Sequence, residues 1–505
     1  MKPDPSQKHG PAAADRFHER ATLTLILAFL VIRLVWAAWL PLIADEAYGV
    51  VVSRYPSLSY FDHPPLAFGF ARAVAWLLGS EAVFVVRLPH VLMGALTAWM
   101  LFLVTRRAFD AAAGFWAVGA YSVAPFFLGS AGAFVVPDGP LNLFGLTALW
   151  LVLPALLGDD PMPMRRWLAA GLAFGLALLS KYTAFLFGAS VLTLLLLSPS
   201  GRRELARPGP WLAGLVALAC LAPVVVWNWQ NGWVSFTFQS DRAATGGFNP
   251  LNFLLIQLGQ AAYLLPWTWA LSLVLVMRGL FAGDARRVFA AFAAPPILIF
   301  GAIGFATSEP LAHWAMPGYL FAFPLVGRWC ADAGWPRMRR GVLAGSALFS
   351  AAIALAVAVQ ANSAGVTRAL GIAVERDFDW TFLSWSALRD DFAARGILAD
   401  PQAFIVSTSW NTGGKSAHAV GAEMPAAAPL FDQRHFALAP DPRLAGRTKG
   451  YLVEPAWPAE ADGALAFLRE QAAQRFTEAG EPWVVTQTRG GTPAFAIVVL
   501  PVTPR

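Results

Sequence analysis

The chain has 505 residues, 57% of them hydrophobic and only 13% charged, whereas a soluble globular protein carries roughly 25% charged residues. That composition excludes a soluble enzyme and points to a polytopic α-helical membrane protein. The formal net charge of +6 is scattered over short arginine clusters between apolar runs, so no nucleic-acid partner is expected. The two cysteines, Cys220 and Cys330, both lie in apolar segments and suggest no disulfide framework.

The first twenty residues are polar and lack a small-residue cleavage site, so residues 1–21 read as a cytoplasmic tail ahead of an uncleaved first span. Apolar runs long enough to cross a bilayer follow at about 22–43, 82–104, 111–129, 140–157, 211–229, 253–277, 287–306, 313–331 and 341–361. The run at 167–197 is too long for one span: as a single helix it would measure roughly 46 Å, against a hydrocarbon core of about 30 Å. Ser180-Lys181-Tyr182 interrupts it. Arginine placement decides in favour of two short spans meeting there. With two spans, Arg106 and Arg107, Arg165 and Arg166, Arg202 with Arg203 and Arg207, Arg278 with Arg286 and Arg287, and Arg328 with Arg337, Arg339 and Arg340 all fall in loops on one side. With one span, every later cluster would sit on the wrong side by the positive-inside rule. Eleven spans are therefore expected, with a cytoplasmic N-terminus, and a membrane domain over residues 22–362.

Beyond residue 362 the pattern changes. Strand-like runs at 403–410, 450–455, 483–488 and 495–502 surround a helix near 460–476, which reads as a small α/β domain, 363–505, outside the membrane. The stretch "SWNTGGK" (409–415) lacks the spacing of a P-loop and carries no phosphate-binding assignment.

The loops expected on the outer side concentrate polar groups. The first, 44–80, contains Asp45, Glu46, Tyr48, Arg54, Tyr60, Asp62 and His63; the others add Asp138 in "VVPDGPL", Lys181 in "SKYTA", Arg242 at the end of "WNWQNGWVSFTFQSDR" and His313 in "SEPLAHW". Singly, each has an ordinary explanation. Asp45 suits a helix N-terminus, Asp138 a turn, Lys181 a snorkelling position and the tryptophans an interfacial belt. Together, acidic groups, a lysine, two histidines and arginines on one expected face fit a polar ligand better than they fit anchoring.

In order along the chain, "DEAY", "YFDHPPL", "PDGPL", "SKYTA", "WNWQNGWVSFTFQ" and "HWAMPGYL" resemble the polyprenyl-phosphate-sugar-dependent glycosyltransferases of family 39. That family includes the protein O-mannosyltransferases and the lipid A aminoarabinose transferase. The resemblance covers residues 20–330 and implies the GT-C type multi-span fold, with a catalytic cavity on the outer face of a bacterial inner membrane. It implies an inverting transfer of a sugar from polyprenyl phosphate to an envelope glycan, lipid or protein. Asp45 would be the general base, with Glu46 bracing it and Asp138 orienting hydroxyls. Lys181, His63 and Arg242 would hold the donor phosphate, and Tyr48, Arg54, Tyr60, Asp62 and His313 would line the substrate.

His63 stands where the aminoarabinose transferases carry a lysine, which weakens any inference that the sugar is aminoarabinose. Asp62 occupies the place of a relative's metal-binding acid, but no second ligand lies at suitable spacing, so no cofactor is expected to be required, with a divalent metal at Asp62 left as the alternative. A flippase for a lipid-linked sugar is the competing class; it would place polar groups near the midplane and show repeated halves, and the sequence shows neither.

Overall fold

The computed structural model describes residues 11–158, 161–244, 247–307, 311–332, 334, 336–371, 374, 377 and 379–505. Residues 1–10, the start of the expected tail, and Ser308–Pro310 of the "SEPLAHW" loop lie outside the described residues. From Pro11 onward the expected tail is already helical: the first helix runs Pro11–Trp39 without a break, its proline at the one helical position where a missing N–H costs nothing.

Each of the eleven expected spans is helical. Among the described residues, six helices are long and apolar enough to cross a membrane, and nine if each of three bent pairs is one span. The remaining two, Met164–Leu178 and Met316–Asp332, are 15 and 17 residues long. The break expected at Ser180–Tyr182 is present: Met164–Leu178 ends there, and a 3-10 turn, Tyr182–Ala184, leads into the helix Phe185–Leu197.

The run read as one span at 253–277 is instead two helices, Pro250–Leu264 and Pro266–Leu280, bent by 107°. Pro266 is the cause. It lacks an N–H, and its ring disfavours helical backbone at the residue before it; Leu265 sits at φ +70°. A second bend, 83°, separates Ala111–Val123 from Pro125–Ala133. Past that bend, at the end of the short helix Pro125–Leu128, a fully buried arginine takes up two carbonyls: Arg33 donates to those of Leu128 and Phe127, each at 3.3 Å.

The chain divides into two compact units: residues through Val35 with His63–Ala67 and Pro89–Ala351, and Trp36–Asp62 with Phe68–Leu88 and Ala352–Arg505. The first is a helical bundle around an aromatic core that includes Phe127, Phe187, Phe292, Tyr319, Phe321 and Phe323. Its helices approach closely through small residues. A Cβ on Gly171 would lie 2.3 Å from the Ala213 carbonyl oxygen, the close backbone contact that membrane helices make when no large side chain intervenes.

The second unit contains a five-stranded sheet: β1 Ala403–Ser407, β2 Lys449–Ala456, β3 Phe476–Glu478, β4 Trp483–Arg489 and β5 Thr492–Pro504. β1 pairs parallel with β2, and β2 pairs antiparallel with β5. β5 is long enough to carry β3 and β4 in succession along its other edge. The β4–β5 hairpin turns at Gly490-Gly491, both at positive φ, as a tight hairpin requires. Four strands fall where the sequence predicts; β3, three residues long, is below what periodicity can reveal. The expected helix is Ala461–Ala472, and it packs its Leu468 and Ala472 into the sheet's core with Phe404, Leu452 and Leu500.

Candidate functional site

The sequence-predicted residues fall into two clusters, each inside one unit. In the second unit, Asp45 and Glu46 occupy the first turn of the helix Ala44–Val52, where negative charge is favoured by the helix dipole. Glu46 is fully buried and points away from solvent. It accepts from Arg87 Nε at 2.8 Å and from the backbone N–H of Ile43 at 3.1 Å. Arg87, equally buried, also donates to the carbonyls of Ala37, Leu40 and Pro41 at 3.2, 2.7 and 2.8 Å. Lys415 adds a bond of 2.6 Å to the Leu42 carbonyl and another of 2.6 Å to that of Leu383. The backbone leading into the helix is thus held at four consecutive carbonyl or amide groups from Leu40 to Ile43.

Asp45 is the next acidic group and behaves differently. It is solvent-exposed, yet enough protein surrounds its carboxyl that desolvation raises its pKa above the usual aspartate value; Arg434 opposes that shift, while Asp62 and Glu46 add to it. A carboxyl open to solvent but partly desolvated is the condition for a general base working above its ordinary pKa.

Asp62 is buried and ion-paired with Arg434 at 3.3 Å. A cation already sits on the carboxylate that sequence offered as a metal ligand. Among the described residues, no three His, Cys, Asp or Glu side chains come together to hold an ion. Tyr48 is buried, and its hydroxyl accepts from the His435 N–H at 3.2 Å. The Tyr60 ring lies 4.7 Å from that of His435. Arg54 is engaged by Glu81 at 2.8 Å and by the Ala417 carbonyl at 3.2 Å.

In the first unit, the break between two helices puts Lys181 in extended backbone at φ −155°. Its Nζ contacts both oxygens of Asp138, at 3.0 and 2.9 Å, Asp138 being the first residue of the helix Asp138–Leu157. His313 lies in the 3-10 turn Ala312–Ala315 ahead of its helix. Burial lowers its pKa to about 4, with Lys181 the next cause, Asp138 opposing, and Arg242 and His63 lowering it further. Lys181, Asp138, Arg242 and His63, the other predicted residues of this unit, thus all act on His313. Arg242 stacks over Phe238 and Trp314 at 5.3 and 5.4 Å.

Sequence reasoning missed Arg87, Lys415 and Arg434. Arg87 and Lys415 work by binding backbone carbonyls distant in sequence, which no local motif announces. "SWNTGGK" turns out to be a packing motif. Its glycines lie inside the helix Trp410–Val420, and a Cβ on Gly414 would lie 2.6 Å from the Tyr48 backbone nitrogen.

Residues 62–227 match the family model described as dolichyl-phosphate-mannose-protein mannosyltransferase. The chain is also 25% identical over 329 residues to the lipid A galacturonosyltransferase RgtD of Rhizobium johnstonii, covering 63% of this chain and 67% of that one. The chain resembles the family 39 glycosyltransferases. Its fold agrees: it aligns with the crystal structure of ArnT from Cupriavidus metallidurans in the apo state at a TM-score of 0.62 and 18% identity, covering 95% of this chain and 97% of that one. The same protein bound to undecaprenyl phosphate aligns at a TM-score of 0.63 and 15% identity, covering 94% and 97%. At those identities the likeness establishes the GT-C type fold of this family 39-like chain, several apolar spans with a small C-terminal sheet domain.

Proposed function

We propose that this chain is an inverting glycosyltransferase that moves a sugar from polyprenyl phosphate to an acceptor on the outer face of the cytoplasmic membrane. The observation that carries the reading is Asp45: a solvent-open, partly desolvated carboxyl on a helix start fixed by Arg87, Glu46 and Lys415. The acceptor hydroxyl gives its proton to Asp45 as its oxygen bonds to the anomeric carbon, from the face opposite the phosphate. The bond between sugar and phosphate breaks, and its electron pair leaves on the polyprenyl phosphate oxygen. One base and one good leaving group give inversion with no covalent sugar–enzyme intermediate.

Lys181 and Arg242, with His63, supply the charge that receives the departing phosphate, since fixed cations stabilise charge that grows in the transition state. Asp138 holds Lys181 in place until a phosphate competes for it. The arginine distribution supports a cytoplasmic N-terminus and an outer-face C-terminal domain. The similarity to a protein named for galacturonosyl transfer to lipid A supports lipid A as acceptor and a uronic acid as the sugar.

The test is transfer by the purified full chain from polyprenyl-phosphate-linked galacturonic acid to lipid A, read by mass spectrometry. Asp45→Asn is expected to abolish product while leaving the folded protein intact. Equal product from both would remove Asp45 as the base, and product only with another donor would change the sugar.

A further inference from the structure

Arg434 lies in the C-terminal part of the chain, outside every motif of the family resemblance, yet it is ion-paired with Asp62 of the first loop. Its guanidinium stacks on the Trp410 ring with the central carbon 3.7 Å from the ring centroid. It donates to Asp62 at 3.3 Å and lies 3.4 Å from the carboxylate of Asp432. The neighbouring backbone is fixed as well: the Trp410 N–H bonds the Asp432 carbonyl at 3.1 Å, and the His435 N–H bonds the Tyr48 hydroxyl. Arg434 itself is held at φ +44°, ψ −129°, a conformation that side chains other than glycine adopt only when the surroundings impose it and that gathers at functional sites.

We infer that Arg434 is a positioning residue for the Asp45–Asp62 carboxylate pair, holding Asp62 and supplying the positive charge that lets Asp45 remain ionised beside it. Three charged groups act on Asp45: Glu46, Asp62 and Arg434. Arg87 already neutralises Glu46. That leaves Asp62 as the carboxylate that acts on Asp45, and two carboxylates acting on one another hold each other's protons unless a cation intervenes. Asp62 in turn is ion-paired with Arg434 at 3.3 Å. The sheet domain therefore takes part in the chemistry of the first loop by keeping its base deprotonated. The inference rests on Asp45 as the base.

The experiment measures protonation at Asp45 without substrate. Dicyclohexylcarbodiimide couples to protonated carboxyls, so its incorporation at Asp45, mapped by peptide mass spectrometry across pH, gives a titration midpoint in the full-length detergent-purified chain. The midpoint is expected to rise by about one pH unit in Arg434→Gln and to stay at the wild-type value in Arg434→Lys. Arg434→Gly removes the cation while relieving the positive φ, so it keeps a folded comparator and is expected to rise equally. Wild-type midpoints in both Arg434→Gln and Arg434→Gly would overturn the inference.

Transfer assays on the same proteins separate the two readings. At a pH below both titration midpoints a roughly tenfold lower kcat, regained at higher pH and by added guanidinium, is expected for Arg434→Gln. If Asp45→Asn transfers normally, the base assignment fails, while the labelling midpoints still decide what Arg434 does to Asp45.

Discussion

Arg87 and Glu46 form an ion pair in which neither side chain reaches solvent, and both partners also bind the backbone that leads into the helix carrying Asp45. The pair fixes geometry more than it adds stability, because burying two charges costs nearly as much as their attraction returns. Removing one partner is another matter. Arg87→Met leaves Glu46 buried without its cation and three carbonyls without a donor, so a loss of about 3–5 kcal/mol is expected. Thermal unfolding in detergent should show a drop of many degrees. Arg87→Met combined with Glu46→Gln should recover part of it, and transfer should remain low because the helix start is no longer held.

Lys181 and Asp138 are a pair of a different kind, poised to exchange partners. Lys181→Met should raise the donor KM and also destabilise the fold, since Asp138 is then a buried carboxylate alone. Asp138→Asn added to it should restore stability without restoring donor affinity. A coupling of about 1 kcal/mol or more in the stability cycle is the expected signature. Additive stabilities would mean that the two side chains do not depend on one another.

Gly414 and Gly69 make a matched comparison. A Cβ at Gly414 meets the Tyr48 backbone, which cannot yield, whereas at Gly69 it meets no atom within 4 Å. Gly414→Ala is therefore expected to push the helix Trp410–Val420 from the helix Ala44–Val52, lowering both the melting temperature and transfer. Gly69→Ala sits inside the helix Leu66–Leu78 and should be neutral or stabilising by up to about 1 kcal/mol. Equal melting temperatures for the two variants would contradict the packing.

The membrane segments were legible because lipid demands long apolar runs, and arginine placement then resolved the ambiguous run around Lys181. The bend at Leu265–Pro266 was missed although its proline was in view, because hydropathy measures composition and the bend is a matter of backbone sterics. Asp45, Asp138 and Lys181 stood out as charges beside apolar segments, where charge is expensive. The cations that brace the first loop did not stand out. Arg87, Lys415 and Arg434 each reach across 30 or more positions to a carbonyl or carboxylate, and such long-range pairing has no period or spacing to betray it. The sheet domain showed four of its five strands, but nothing in its sequence indicated that "SWNTGGK" supplies the surface for Tyr48.

Lys415 yields a pH prediction. Burial lowers its pKa to about 7, with Glu46 and Asp379 opposing the shift and Arg87 reinforcing it. In the unfolded chain the group returns to about 10.4. Between those values the unfolded state binds a proton that the folded state lacks, so stability rises with pH across the window. The penalty is full below about pH 7 and gone above the unfolded value. Wild-type melting temperature should therefore climb between pH 7 and pH 10 relative to Lys415→Met, which has no proton to lose at that position. The variant also forfeits two hydrogen bonds, so its absolute stability is not the readout; the difference in slope is. Parallel pH profiles for the two proteins would show that Lys415 stays charged in the fold, its ammonium fully supported by the Leu42 and Leu383 carbonyls.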